Sequence, residues 1–188
     1  LATAATDAIT IEVTGASVTA AELNTLDGKT SVDVEVSTTA VTGTIADLTK
    51  VYVTNKANFA ALGNEAVTIT DTVSAAQANT IAKATSGNVT AATVTAATAA
   101  TLKAALADAK DTDALTLTVN GATATAADLN ALDGKTNKVI TVDAAAVTGT
   151  FADLNKVYVT NAANFKDLGD ENVTITDKVT VDQINVIK

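Results

Sequence analysis

Residues 7–82 and 113–188 align without a gap at a spacing of 106 residues, and well over half of the aligned positions are identical. LDGKT recurs at Leu26 and Leu132, VTGT at Val41 and Val147, KVYVTN at Lys50 and Lys156, and VTITD at Val67 and Val173. A chain that repeats itself at this scale is constrained to an array, because each copy can bury its apolar face only on its neighbours.

The array has a finer grain. Residues 18–28, VTAAELNTLDG, spell a short helix with both ends specified. Thr19 and Glu22 have capping-box spacing, Val18 and Leu23 are placed as a hydrophobic staple, and Gly28 provides the exit. Variants of this segment place seven helices, starting near Thr19, Thr44, Ser74, Thr95, Thr125, Thr150 and Thr180. In each, the cap is followed three residues later by Glu, Asp, Gln or Thr and then by apolar positions, which is a helix-start signature. The Thr95 copy, with Thr98, Ala99 and Leu102, is the poorest match.

Short alternating segments precede the helices. Ile9, Ile11 and Val13 alternate with Thr10 and Glu12, Val34 and Val36 with Asp33 and Glu35, and Val67 and Ile69 with Thr68 and Thr70. Repeat four offers only Val89 and Thr90, and repeats five to seven place strands at 115–119, 140–142 and 173–176. A period of two reads as a half-buried strand. Repeat two carries an extra segment, 54–63, in which Phe59 and Leu62 are expected to cover the end of the core.

Strands joined by helical crossovers run parallel, and the crossover is right-handed. The expected fold is therefore α/β: residues 1–188 form a single right-handed solenoid of stacked strand–helix repeats, with one parallel sheet and one row of helices. The 106-residue super-repeat spans 7–112, and 113–188 is its truncated second copy. The chain opens inside a repeat, so it is expected to belong to something longer.

Composition excludes much chemistry. The chain has no Cys, His, Pro, Met, Trp or Arg, only five aromatic residues, and a net charge of −9. Without His or Cys there is no ordinary triad, thiol nucleophile or typical zinc site. Without Arg there is no bidentate phosphate clamp, and an acidic chain with twelve dispersed lysines lacks a nucleic-acid footprint. No apolar run approaches the ~20 residues of a membrane span, and nothing resembles a signal peptide. The expectation is no enzyme, no catalytic, cofactor-binding or metal residues, no nucleic acid and no membrane insertion in this segment.

Helix geometry sorts the positions further. The first, fourth and seventh helical residues, Ala20, Leu23 and Leu26 in the first copy, share an inward face. The fifth is Asn in five copies, at Asn24, Asn79, Asn130, Asn155 and Asn185. These asparagines are expected to lie at helix–helix seams and to hydrogen-bond between repeats; the alternative is a solvated polar flank.

Three patterns bear on binding. Thr68 with Thr70, Thr116 with Thr118, and Thr174 with Thr176 resemble the threonine rows of ice-binding solenoids, although Thr also suits any exposed strand. Glu12, Asp33 and Glu35 interrupt such rows with charge. Asp27, Asp133, Asp71 and Asp177 recur, and stacking could align them into a calcium site, yet each also has a turn-forming reason to be there. Lys29 and Thr30 follow Gly28 but are not part of a phosphate loop, since G-x-x-x-x-G-K-[ST] is absent; they read as turn and strand-entry residues.

VTAAELNTLDGKT and VTGTFADLNKVYVTN resemble the Thr/Ala-rich tandem repeats of very large exported bacterial surface proteins, cyanobacterial-type chains that are adhesin-like or surface-layer-like. The resemblance covers the whole chain and implies an extracellular or cell-surface structural or adhesive role without a cofactor. A second resemblance, to the TAELN-x-LDG segments of phage tail fibres, covers only residues 21–28 and 127–134. The architecture resembles that of leucine-rich repeats without their L-x-x-L-x-L-x-x-N signature. The expected function is a spacer, filament or surface coat that associates end to end or with flanking repeats. The alternative is a binding or adhesion module presenting a Thr-rich face to carbohydrate, mineral, ice or calcium.

Overall fold

The computed structural model describes residues 3–187; Leu1, Ala2 and Lys188, which bound the expected 1–188 segment, lie outside them. The described residues form two compact units that meet in sequence between Ala92 and Thr93. That boundary falls inside repeat four.

The first unit contains β1 (Glu12–Gly15), β2 (Val18–Thr19), α1 (Ala20–Asp27), β3 (Val34–Thr38), β4 (Ala40–Gly43), α2 (Ile45–Thr49), β5 (Phe59–Ala60), β6 (Ala66–Ile69), α3 (Ala75–Ala84) and β7 (Val89–Ala91). Its strands form two parallel ladders, β1-β3-β5 and β2-β4-β6-β7. The second unit contains α4 (Ala99–Ala105), β8 (Ala114–Leu115), β9 (Thr118–Val119), β10 (Ala124–Thr125), α5 (Ala126–Asp133), β11 (Ile140–Val142), β12 (Ala146–Gly149), α6 (Phe151–Asn155), β13 (Phe165–Lys166), β14 (Asn172–Ile175) and α7 (Val181–Ile187). It too carries two parallel ladders, β9-β11-β13 and β10-β12-β14.

The α/β class and the parallel pairing agree with the expectation. The single parallel sheet does not: the strands lie in several sheets, because most repeats contribute two short strands with a corner between them. In repeat two the corner is Thr39, between β3 and β4. The buried positions Val34, Val36 and Thr38 are spaced by two, and the next, Val41, follows after three. That change of phase turns the chain so that both strands bury apolar side chains. In repeat one the same corner lies near Gly15, whose φ is 120°, a conformation available mainly to glycine.

Five of the expected caps are confirmed as N-caps. Thr19 and Ser74 form complete capping boxes, and Thr44, Thr125 and Thr150 accept the N–H three residues on. At α7 the Thr180 hydroxyl accepts the Gln183 N–H at 3.3 Å, and Gln183 Oε1 accepts the Thr180 N–H at 2.8 Å. The Thr95 start is corrected: α4 begins at Ala99 with Thr98 as its cap. Ala97 is engaged in a parallel bridge to Val119, so the residues after Thr95 are extended rather than helical. The extra segment of repeat two also differs in detail. The helix continues through a π turn, Lys50–Thr54, that buries Val51 and Tyr52. Phe59 then lies in β5 and pairs with Val34, extending the ladder, while Leu62 is half-buried.

Within each unit consecutive helices pack side by side, α1 on α2 on α3 and α4 on α5 on α6 on α7. Their inward positions follow the expected spacing. Ala20 and Leu23 of α1 are fully buried, as are Ala126, Leu129 and Leu132 of α5.

Candidate functional site

The distinctive chemistry of this chain lies where one repeat meets the next. The seam begins at the helices. Asn24 Nδ2 donates to the Asp47 carbonyl of the adjacent helix at 3.2 Å, and Asn130 Nδ2 donates to the Asp153 carbonyl at 3.1 Å. These two asparagines are the inter-repeat bridges expected of the fifth helical position. Asn155 is half-buried, Asn79 also has a polar contact, and Asn185 on α7 is exposed. The row is thus bonded at equivalent places in the two units and solvated at α7.

The recurrent aspartates serve the same seams. Asp27 accepts from Asn55 Nδ2 at 2.8 Å and Asn58 Nδ2 at 2.9 Å, and Asp133 accepts from Asn161 Nδ2 at 2.8 Å. Asp71 accepts the Ile45 N–H and Asp177 the Phe151 N–H, each at 2.8 Å. Ile45 and Phe151 open α2 and α6, so a carboxylate from the following repeat satisfies a donor that the helix leaves free. Each carboxylate is engaged separately, and among the described residues no three acidic side chains converge as metal ligands.

Thr30 of LDGKT is a peg. It is 6% exposed; its hydroxyl donates to the Ile9 carbonyl at 2.6 Å and accepts the N–H of Ile9 at 3.2 Å and of Val32 at 3.1 Å. Thr136 does the same with Leu115 and Lys138. Thr85 Oγ1 donates to the Glu65 carbonyl at 2.8 Å. Thr30 lies four residues ahead of β3, and its strand-entry reading did not foresee this bond to the preceding repeat.

Glu65 was not foreseen at all. It is 1% exposed, and its carboxylate accepts from the Tyr52 hydroxyl at 3.0 Å and the Gly63 N–H at 2.9 Å. A buried carboxylate requires such donors. Burial, reinforced by the Glu65 charge and the hydrogen bond to it, pushes the Tyr52 phenol far above its usual value. Tyr158 and Glu171 repeat the pair, with the same direction of shift at Tyr158. The available signal was the KVYVTN repeat: an aliphatic chain retains Tyr twice, each thirteen residues before a Glu.

One ion pair stands out, between Lys103 of α4 and Asp128 of α5. Burial alone would raise the Asp128 carboxyl, but Lys103 and the Thr125 hydroxyl outweigh it and hold the acid below its ordinary value. At the matching position in repeat one, Glu22 is exposed, and the Thr19 backbone N–H and hydroxyl hold its carboxyl low.

The threonine pairs are divided between ladders. Thr68 stands in register between Thr42 and Thr90, and Thr174 next to Thr148. Thr118 belongs to the other ladder, beside Thr141, whose next neighbour is Lys166. The charges Glu12 and Glu35 pair with each other on β1 and β3, away from the Thr42–Thr68–Thr90 file. Thr19 extends that file, but its hydroxyl is committed to the cap of α1.

The last repeat presents an open apolar face. Val173 is 38% exposed where its counterpart Val67 is 1%, and Ile184 is 39% exposed where Ala78 is fully buried. Beside them lies an open depression of about 750 Å³, bordered by Gly169, Glu171, Val173, Ile175 and Ile184. Among the described residues no helix is long and apolar enough to cross a membrane.

No protein-family model, curated protein or solved structure matches the chain. The seams and the open face therefore carry the functional argument.

Proposed function

We propose that this chain is a structural segment of a long extracellular repeat protein, a spacer, filament or surface coat built by coaxial stacking of right-handed α/β solenoid coils. The supporting observation is the outer face of the last repeat. Repeats that cap an array have polar outer faces, whereas this one exposes Val173 and Ile184, which border one depression with Ile175. A contiguous apolar patch of this kind marks an interaction surface. Bonding between repeats is the chemistry that Asn24, Asp27, Thr30 and Asp71 serve. Small-angle scattering with light scattering over a concentration series tests the proposal. Rods that lengthen at constant cross-section are expected, and a compact monomer at every concentration overturns it.

A second reading, a binding module that presents threonine to carbohydrate, mineral, ice or calcium, is favoured by the registered file Thr42–Thr68–Thr90. Its test is ligand-dependent stabilisation, which must follow mass action and be lost on Thr68→Val.

A further inference from the structure

The open face of repeat seven has a counterpart that is covered. In the first unit β6 is flanked on both sides, by β4 and β7, while β14 is the edge strand of its ladder. Against β6, Val67 pairs with Val89 and Ile69 with Ala91. The residues ahead of β7 fix the docking. Thr85 Oγ1 donates to the Glu65 carbonyl at 2.8 Å, the Ser86 N–H to the Gly63 carbonyl at 2.8 Å, and the Val67 N–H to the Asn88 carbonyl at 2.9 Å. Gly87 packs so closely that a Cβ there would stand 2.1 Å from the Glu65 carbonyl oxygen. Repeat seven reproduces the receiving side in Gly169, Glu171, Val173 and Ile175.

The residues of repeat four also fit the opposite kind of face. In the second unit, Ala97 bridges Val119 and Lys103 pairs with Asp128, and there Leu117, Val119 and Leu132 are fully buried. Their counterparts in repeat one, Ile11, Val13 and Leu26, are only half-buried, with the exposed Glu22 at the position of Asp128. A second copy of this chain would not reproduce the contact on β14. Docked through β2 in the register of Val89, it would bring Ala16 to the place that Gly87 holds, where a Cβ meets backbone.

We infer that the open face of repeat seven is a docking surface for a segment of repeat-four chemistry: a T-S-G-N turn followed by a V-T-A strand, as residues 85–91 present them. This rests on the stacking function proposed above and specifies its partner. The Ala97 bridge and the Lys103 ammonium, the other side of repeat four, suit the open face of repeat one, with Glu22 in place of Asp128.

The test is the full chain extended by a second copy of residues 83–112 placed directly after Lys188, which preserves the 106-residue register. Hydrogen exchange at the Val173 amide, the counterpart of the Val67 donor, is compared with the unextended chain by NMR, alongside light scattering. Exchange at Val173 should slow on the order of tenfold or more. Gly87→Val in the appended copy alone should abolish that protection. Unchanged exchange in an extended chain that still lengthens into rods would overturn the choice of partner and leave stacking standing, with a second copy as the occupant. Unchanged exchange with no association in either chain would overturn both.

Discussion

Tyr52→Phe separates the contribution of the buried Tyr52–Glu65 pair from the rest of the fold. The substitution keeps the ring, which is 1% exposed, and removes only the hydroxyl that donates to Glu65 at 3.0 Å. A hydrogen bond to a charged partner contributes about 1.5–3 kcal/mol, so the variant should be about 2 kcal/mol less stable at neutral pH. For a chain of this size that lowers Tm by about 4–8 °C. The pH dependence is the sharper signature. In the unfolded chain the phenol ionises near pH 10, whereas burial and the Glu65 charge keep Tyr52 protonated in the native state well beyond that. The native stabilisation is complete below pH 10 and declines above it, by about 1.4 kcal/mol per pH unit for one tyrosine. The Phe variant loses nothing at this position. Lysine ionisation and Tyr158 affect both proteins alike, so they cancel in the difference. The stability gap between the two proteins should therefore shrink from about 2 kcal/mol at pH 9 to near zero around pH 11.5. Urea unfolding followed by far-ultraviolet circular dichroism at a series of pH values measures it. A gap that stays constant from pH 8 to 11.5 would refute the reasoning.

Other substitutions probe the seams. Gly87→Ala drives a Cβ into the Glu65 carbonyl and should cost about 3 kcal/mol, at the upper end of overpacking effects; Gly28→Ala, which meets nothing closer than 3.6 Å, should change stability by less than about 0.5 kcal/mol, with thermal melts of both distinguishing them. Asp71→Ala removes the acceptor of the Ile45 N–H and should cost about 1–2 kcal/mol in chemical denaturation, as loss of a helix cap does. Asn24→Ala should cost about 1 kcal/mol through its lost bond to Asp47, while Asn185→Ala, on an exposed position of α7, should leave the denaturation midpoint unmoved.

Sequence reading located the helices well because their starts are encoded locally. The Thr19–Glu22 and Ser74–Gln77 boxes need only four consecutive residues. It failed at Thr95 because the fate of that stretch is decided by Val119, which takes Ala97 into a bridge. The corners were hidden in plain view. Val34, Val36 and Thr38 keep one parity and Val41 breaks it, but a single strand and a bent pair look alike until the parity is followed to its end. Asn24 and Asn130 could be placed at seams from helical geometry alone. Glu65 was marked only by the repeated thirteen-residue spacing from a tyrosine, since nothing in its immediate neighbourhood distinguishes a carboxylate that will be buried from one that faces water.

The Asp71 bond to Ile45 also has a bearing on the order in which the chain can be completed. The first turn of α2 obtains its acceptor from a residue 26 positions later, and α6 waits in the same way for Asp177. On a ribosome adding about 5–20 residues per second, that interval is roughly one to five seconds during which the helix exists with a donor open to water. The repeats of α2 and α6 thus gain this bond only on the arrival of their successors. Until then the first turns of α2 and α6 keep an open donor, so in a nascent chain the repeat most recently made is the one whose helix start is least satisfied.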